Sequence, residues 1–311
     1  MCFLNAISSE ADIKMKFERF KKYDKLSWAM RTFRKHETEV NDLYWSNAPA
    51  YHNASYLVRQ SRSSSTPVSP ANVLNATGPD AKRIPATVAS WQRSIKSFQV
   101  WARSTLIVGA TGALETYIQR AVLTALRSDP AAQHGKSRAI DGISWLKLDI
   151  KPLYKEELKA FEKGTWQQRT SAIAGLFGEV PGLSIHIEEL DKIRIFRNSV
   201  GHAFGRKLNE EPDLLSIAPE SMNPISETNF KDWLNTLSKV ANAVDKHLVE
   251  NHIGEYELLH HFHVWCKRNR INPATMRTDT HRKYLDILGG LTSGVPGRDF
   301  IAEMIDYYNR V

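Results

Sequence analysis

Apolar residues recur every three or four positions along most of the chain, the spacing of helices that pack one face against a core. This pattern predicts helices over residues 10–47, 87–129, 153–163, 165–177, 185–206, 226–251, 255–268, 281–288 and 299–309. The first helix is expected to end near Pro49. Residues 51–62 fit a short strand or an extended arm. The fold class is therefore predicted to be all-α.

Composition along the chain predicts four segments. Residues 1–60 form an N-terminal helical arm, and residues 61–86, rich in serine, proline, asparagine and glycine, form a linker. Residues 87–250 contain a bundle of four to five helices, and residues 251–311 form a C-terminal helical appendix. A chain of 311 residues is long enough for one large domain or two small ones.

Charge and cysteine content limit the partners and the cellular location that we expect for this protein. Lysine and arginine total 42 against 34 acidic residues, a net charge of +8, of which +5 falls in residues 1–86. This excess is compatible with a polyanionic partner. No apolar run approaches the ~18 residues of a membrane span, so no membrane partner is expected. The two cysteines provide no disulfide framework, which indicates a reducing, cytoplasmic location.

The segment from Ile193 to Gly205 combines an apolar stripe with a polar face. Its apolar positions recur at helical spacing: Ile193, Phe196, Val200 and Ala203. At ~100° per residue, Asn198 and His202 lie almost opposite this stripe, and Arg197 lies on its flank. Gly201 and Gly205 border the polar face, and glycine costs roughly 1 kcal/mol in a helix. They therefore predict close approach by a second helix or a phosphate chain.

These polar groups suit cleavage of RNA through its own 2′-hydroxyl. The reaction needs a base, an acid for the leaving oxygen and stabilisation of a charged five-coordinate phosphorus. Histidine titrates near neutral pH, and arginine offers a fork of donors to phosphate. We therefore predict that Arg197, Asn198 and His202 are catalytic. Because the substrate supplies the nucleophile, no metal or cofactor is expected.

The run from Arg197 to His202 resembles the HEPN superfamily signature: an arginine, a polar residue, three variable positions and a histidine. The resemblance covers about residues 86–251. It implies an all-α, HEPN-like bundle and a metal-independent endoribonuclease, typically of a prokaryotic toxin or anti-phage system. It also implies a homodimer in which two copies of the motif form one site, with RNA as substrate and an antitoxin or defence-system protein as a further partner.

Further roles follow from the same resemblance. Related proteins often carry an acidic residue in the first bundle helix, which predicts that Glu115 holds Arg197 in place; an ordinary exposed glutamate is the alternative. Asp191 and Arg194 lie near the polar face and are assigned supporting roles. HEPN toxins modified by a nucleotidyltransferase tend to carry a tyrosine two positions after the histidine. This chain has Phe204 there, which argues against such a partner.

Other interpretations remain open. The cluster of Lys267, Arg268 and Arg270 is a candidate RNA contact. His260, His261 and His263 invite a zinc interpretation, but no CxxC or HExxH pattern accompanies them, so no metal site is predicted. The alternative function is a catalytically inactive HEPN-type module that binds RNA or nucleotides or serves in assembly.

Overall fold

A computed structural model describes residues 16–61, 68–203, 223–289 and 296–311, without the side chains of residues 202, 203, 278 and 279. About 75% of the described residues are helical, and they form eleven α-helices. They are α1 (Trp28–Gln60), α2 (Pro70–Val73), α3 (Val88–Ser128), α4 (Gly142–Lys147), α5 (Lys155–Glu162), α6 (Trp166–Phe177), α7 (Ile187–Ala203), α8 (Glu227–Leu248), α9 (Tyr256–Asn269), α10 (Thr278–Leu288) and α11 (Arg298–Arg310). The prediction of an all-α fold is confirmed.

Helix α3 is the longest element, and the main core forms around it. Thr87 caps its N-terminus through a capping box with Ser90, and the helix ends at Ser128, with Asp129 as its C-cap before Pro130. It packs against α1, α7 and α8. Its buried positions include Ile107, Leu114, Tyr117, Ile118, Ala121, Val122, Ala125 and Leu126. At 1.5 Å per residue its 41 residues span about 60 Å, so it contacts most of the bundle.

Helix α1 begins later and ends later than the sequence predicts. Ser27 caps its N-terminus, so the preceding described residues, 16–26, lie outside the helix. The helix then continues through Pro49 to Gln60, so the predicted end near Pro49 is wrong, and the extended conformation predicted for residues 51–62 is wrong for residues 51–60. Proline inside a helix costs about 3 kcal/mol. Tyr51 and Val58 are buried beyond it, and burial of such side chains offsets that cost.

The N-terminal helix belongs to the same core as the bundle. Met30 and Phe33 of α1 are buried in the main core, and the Phe33 ring lies 5.5 Å from the Tyr117 ring of α3. The boundary predicted between residues 1–60 and the bundle therefore does not separate two cores. In the predicted linker, residues 61–86, the described part contains α2 and a 3₁₀ turn at Ala81–Arg83.

A second core lies at the C-terminal end of the chain. It contains buried residues of α9, α10 and α11, which the predicted appendix supplies, including Phe262, Tyr284, Ile301 and Met304. Helix α4, which lies between two predicted helices where no helix was predicted, adds Ile143 and Leu146. Phe17 and Tyr23, predicted to lie in the first helix, pack against this core instead. The C-terminal segment therefore has its own hydrophobic core, with contributions from distant parts of the chain.

The remaining predicted helices lie close to their expected positions. Thr165, where the sequence predicts this helix to begin, caps α6 through a capping box with Gln168, and Gly178 follows its last residue. Ser226 caps α8, which passes at Leu248 into a π-helical turn, Val249–Ile253. None of the helices in the described ranges has the length and apolar character needed to cross a bilayer.

Candidate active site

Helix α7 presents the motif beside α3. Leu190 and Ile193 are buried in the main core, and the Phe196 ring packs 5.1 Å from the ring of Trp233 in α8. These contacts fix the rotation of the helix about its axis. Arg197 and Asn198, which follow directly, are held at the partly exposed edge where α7 meets α3.

Glu115 joins three helices through its two carboxylate oxygens. Oε2 accepts a hydrogen bond of 2.9 Å from Nη2 of Arg197, so the contact predicted between these residues is present. Oε1 accepts a hydrogen bond of 2.9 Å from Nη1 of Arg169 in α6. The side chain of Glu115 is mostly buried, at 15% exposure, which strengthens both ion pairs relative to water.

Arg169 is a site residue that the sequence did not reveal. Its side chain is 5% exposed, and its guanidinium carbon lies 5.0 Å from the centroid of the Trp166 ring. Its Nε has no hydrogen-bond partner among the described residues. One signal was present: Arg169 lies three residues after Trp166 and four before Ile173, on the face of α6 that is buried.

Arg197 is anchored on one side and open on the other. Its Nη1 donates to Oδ1 of Asn198 at 3.1 Å, in addition to the bond from Nη2 to Glu115. The side chain is nevertheless 37% exposed. The Asn198 oxygen accepts from Arg197, and its amide nitrogen, which donates to no other described residue, can donate to a bound group. The pair therefore forms an oriented set of donors suited to an anionic group.

Asp191 and Arg194 act one helical turn earlier on α7. Nε of Arg194 donates to Oδ1 of Asp191 at 2.6 Å, and the same oxygen accepts from the backbone N–H of Trp166 at 3.2 Å. The pair therefore holds α7 against the first residue of α6. The two residues, to which the sequence analysis assigned supporting roles, thus lie at the contact of α7 with α6, and α6 carries Arg169 one turn further on.

The second half of the motif is described less fully. The backbone of His202 continues α7 one turn after Asn198, but its side chain and Gly205 lie outside the described residues. Gly201 is exposed, and a Cβ at this position would meet no described atom within 4 Å. The close approach predicted at Gly201 is therefore not made by the described part of the same chain.

The other candidate residues lie elsewhere. Lys267, Arg268 and Arg270 are exposed at the end of α9 in the second core, where Nζ of Lys267 lies 3.5 Å from Asp149. The structure does not group them with Glu115, because α7 packs against α3, α6 and α8, whereas α9 packs against α4.

The three neighbouring histidines have separate partners. His261 Nδ1 lies 3.2 Å from the Tyr284 hydroxyl, His263 Nδ1 lies 2.6 Å from the Tyr308 hydroxyl, and His260 stacks on Tyr256. Burial lowers the pKa of His263 to about 4, so it is neutral at physiological pH. Within the described ranges, no group of three or more histidine, cysteine, aspartate or glutamate residues is arranged to hold a metal ion.

Comparison of the chain with protein-family models, with curated proteins and with solved structures finds no match in any of the three. What the site can do must therefore be judged from its own chemistry. A fixed guanidinium with an exposed side and a neighbouring side-chain amide have the chemistry to bind an anionic group.

Proposed function

We propose that this protein is a metal-independent endoribonuclease of the HEPN type, acting as a homodimer. One observation carries the proposal. Glu115 holds the guanidinium of Arg197 from the buried side, yet 37% of the Arg197 side chain stays exposed beside Asn198. Because this guanidinium has a fixed orientation and an exposed edge, it can present its donors to a bound phosphate group.

The reaction assigns each residue a role. His202 accepts the proton of the RNA 2′-hydroxyl, and the 2′ oxygen attacks the adjacent phosphorus. Arg197 stabilises the charged five-coordinate intermediate, and Asn198 orients a phosphate oxygen. The bond from phosphorus to the 5′ oxygen then breaks, and that oxygen receives a proton from the second His202 of the dimer. The products are a 2′,3′-cyclic phosphate and a 5′-hydroxyl.

Glu115 and Arg169 are positioning residues in this proposal. Glu115 fixes Arg197, and Arg169 holds the other carboxylate oxygen, so the carboxylate has a single orientation. Preorganised donors lower the barrier because they need not reorient during the reaction. Gly201 supports the dimer, since its exposed position leaves room for a second motif helix. RNA is the partner in the reaction, and a toxin or anti-phage effector with a neutralising protein is the biological role that fits the resemblance.

Labelled RNA incubated with pure protein in excess EDTA tests this function. The natural chain is expected to cut RNA but not DNA, because DNA lacks the 2′-hydroxyl. Arg197→Ala should lower the cleavage rate by about 10²–10³-fold, the usual loss for one donor to a developing anion. His202→Ala should lower it at least as much. Lys192→Ala is the matched control, because Lys192 is an exposed cation on α7 that pairs with Glu188.

Two results would count against the proposal. Cleavage unchanged in His202→Ala, or DNA cut as readily as RNA, would exclude this mechanism. RNA binding without cleavage in the natural chain would instead identify a catalytically inactive binding module. Mass spectrometry of the new RNA ends gives an independent readout, because a 2′,3′-cyclic phosphate forms only when the 2′ oxygen attacks.

A further inference from the structure

A groove runs between α1 and α8 on the side of α3 away from Glu115. Its volume is about 540 Å³, within the range of small-molecule sites. Its floor contains Ala110 and Ala113 of α3, whose short side chains leave space between the two outer helices. Ala113 and Glu115 are two positions apart, about 200° around the helix, so the groove and the candidate active site face opposite ways.

The groove offers a flat apolar surface and an exposed aromatic ring. Phe33 of α1 and Phe230 and Leu234 of α8 line its inner walls. Trp45 also lines the groove, and 45% of its surface is exposed, so its indole ring is accessible. A planar heteroaromatic ring can stack on such an indole.

Two cations border the same space. Arg34 is held across the groove, with Nη1 donating to Ser238 at 3.0 Å and Nη2 donating to Asn242 at 2.6 Å. Nζ of Lys231 lies 5.8 Å from the centroid of the Trp45 ring. Each cation also contacts one carboxylate: Glu37 at 2.6 Å from Arg34 and Glu227 at 3.1 Å from Lys231. Only Glu37 of these two acids lines the groove, so the lining carries a net positive charge.

We propose that the α1/α8 groove binds a nucleotide unit, with its base on Trp45 and its phosphate between Lys231 and Arg34. The exposed amide of Asn235 faces the same groove and provides donors and an acceptor for the edge of a base. An anionic group complements the lining charge, and an aromatic ring complements the indole and the apolar walls. The unit comes either from a free nucleotide or from a single-stranded RNA, which share this chemistry.

This site is separate from the ribonuclease site and does not rest on the function proposed above. Calorimetric titration of the full chain with AMP, and separately with a short single-stranded oligoadenylate, tests it. Trp45→Ala should weaken binding by about 10-fold, within the range for loss of one base–aromatic stack. Trp101→Ala is the matched control, because Trp101 is 43% exposed and lies on α3.

Two further variants test the charge and the volume of the groove. Lys231→Gln should weaken binding several-fold, whereas Lys239→Gln, an exposed lysine of the same helix, should not. Ala113→Leu fills the floor without removing a core contact, so it should block binding even if Trp45→Ala proves poorly folded by circular dichroism. Binding of AMP identifies a free nucleotide as sufficient, and binding of the oligonucleotide alone identifies RNA as the source.

Other outcomes would overturn the inference. The first is that neither probe binds, and the second is that the natural chain and Ala113→Leu bind equally well. The third is that His202→Ala loses binding while Trp45→Ala retains it. The last result would place the nucleotide at the motif site and leave the ribonuclease proposal standing. Conversely, binding retained in His202→Ala, with no RNA cleavage by any variant, would support the groove while the ribonuclease proposal fails.

Discussion

Two regions of the molecule pair an arginine with a carboxylate at nearly the same distance. They differ in how much of the arginine side chain stays exposed. At the junction of the two cores, Nη2 of Arg19 lies 3.0 Å from Asp141, and Arg19 is 4% exposed. Beside α7, Nη2 of Arg197 lies 2.9 Å from Glu115, and Arg197 is 37% exposed. The distance between the charges therefore does not distinguish a structural pair from a candidate site.

The difference lies in the remaining donors. Arg19 also donates to the carbonyl oxygens of Ile253 and Ser128 and to the Ser128 hydroxyl, while Tyr307 donates to Asp141. This pair is enclosed and joins the chain near Arg19 to α3, α4 and α11. Among the described residues, two side chains fix Arg197, those of Glu115 and Asn198, and Arg197 keeps an exposed edge. The pair of Arg197 and Glu115 therefore fixes a charge that stays partly exposed.

The largest loss of stability is expected when the enclosed pair of Arg19 and Asp141 is broken. Arg19→Ala leaves the Asp141 carboxylate without its cation in a mostly buried position, and breaking a buried pair costs about 3–5 kcal/mol. Urea denaturation measures the free energy of unfolding. Arg83→Ala is the control, because the pair of Arg83 with Asp80 is about four-fifths exposed and should contribute less than about 1 kcal/mol. Equal losses in the two variants would remove the distinction drawn here.

A smaller loss is expected at Arg169, within the candidate site. Arg169→Ala removes a buried, charge-assisted hydrogen bond to Glu115, worth about 1.5–3 kcal/mol, while Arg197 still neutralises the carboxylate. Thermal unfolding should show this loss, and Arg197→Ala should change stability by less than about 1 kcal/mol because Arg197 is partly exposed. A larger loss in Arg197→Ala than in Arg169→Ala would contradict the assignment of Arg197 as the outward-facing cation.

Glu115→Gln separates positioning from stability. The amide keeps the shape of the carboxylate but loses its charge, so Arg197 is held less firmly. We expect the rate of RNA cleavage to fall by about 10-fold, equivalent to ~1.4 kcal/mol. If Glu115 acts through Arg197, the Glu115→Gln/Arg197→Ala double variant should be no slower than Arg197→Ala alone. Additive losses would show that Glu115 acts independently.

The smallest effect concerns pH and a buried group of the second core. The pKa of His263 is lowered to about 4 by burial, so the folded protein binds a proton there less readily than the unfolded chain. Stability should therefore be complete above about pH 6.5 and fall as the pH drops toward 4, by roughly 1 kcal/mol between about pH 7.5 and about pH 5.5. His263→Asn should reduce this slope, and His36→Asn, an exposed histidine, should not. An unchanged slope would show that His263 does not cause it.

The sequence was informative wherever structure depends on nearby residues. Helical spacing located α3, α6 and α8 to within a few residues, and Thr165 and Ser226 were readable as helix starts. The contact between Glu115 and Arg197 was predicted only through the resemblance to a family. The end of α1 predicted from Pro49 was wrong, because the rule that proline ends helices does not account for the burial of Tyr51 and Val58 beyond it.

By itself, the sequence determined the helical class and the presence of an arginine, an asparagine and a histidine on one helix, since both depend on periodicity along the chain. Only the tertiary structure decided that Arg169 shares Glu115 and that Arg19 is enclosed. Those pairs join residues 54 and 122 positions apart, which meet because the hydrophobic faces of their helices pack together. Whether a charge is enclosed or exposed depends on that packing and is not encoded in local spacing.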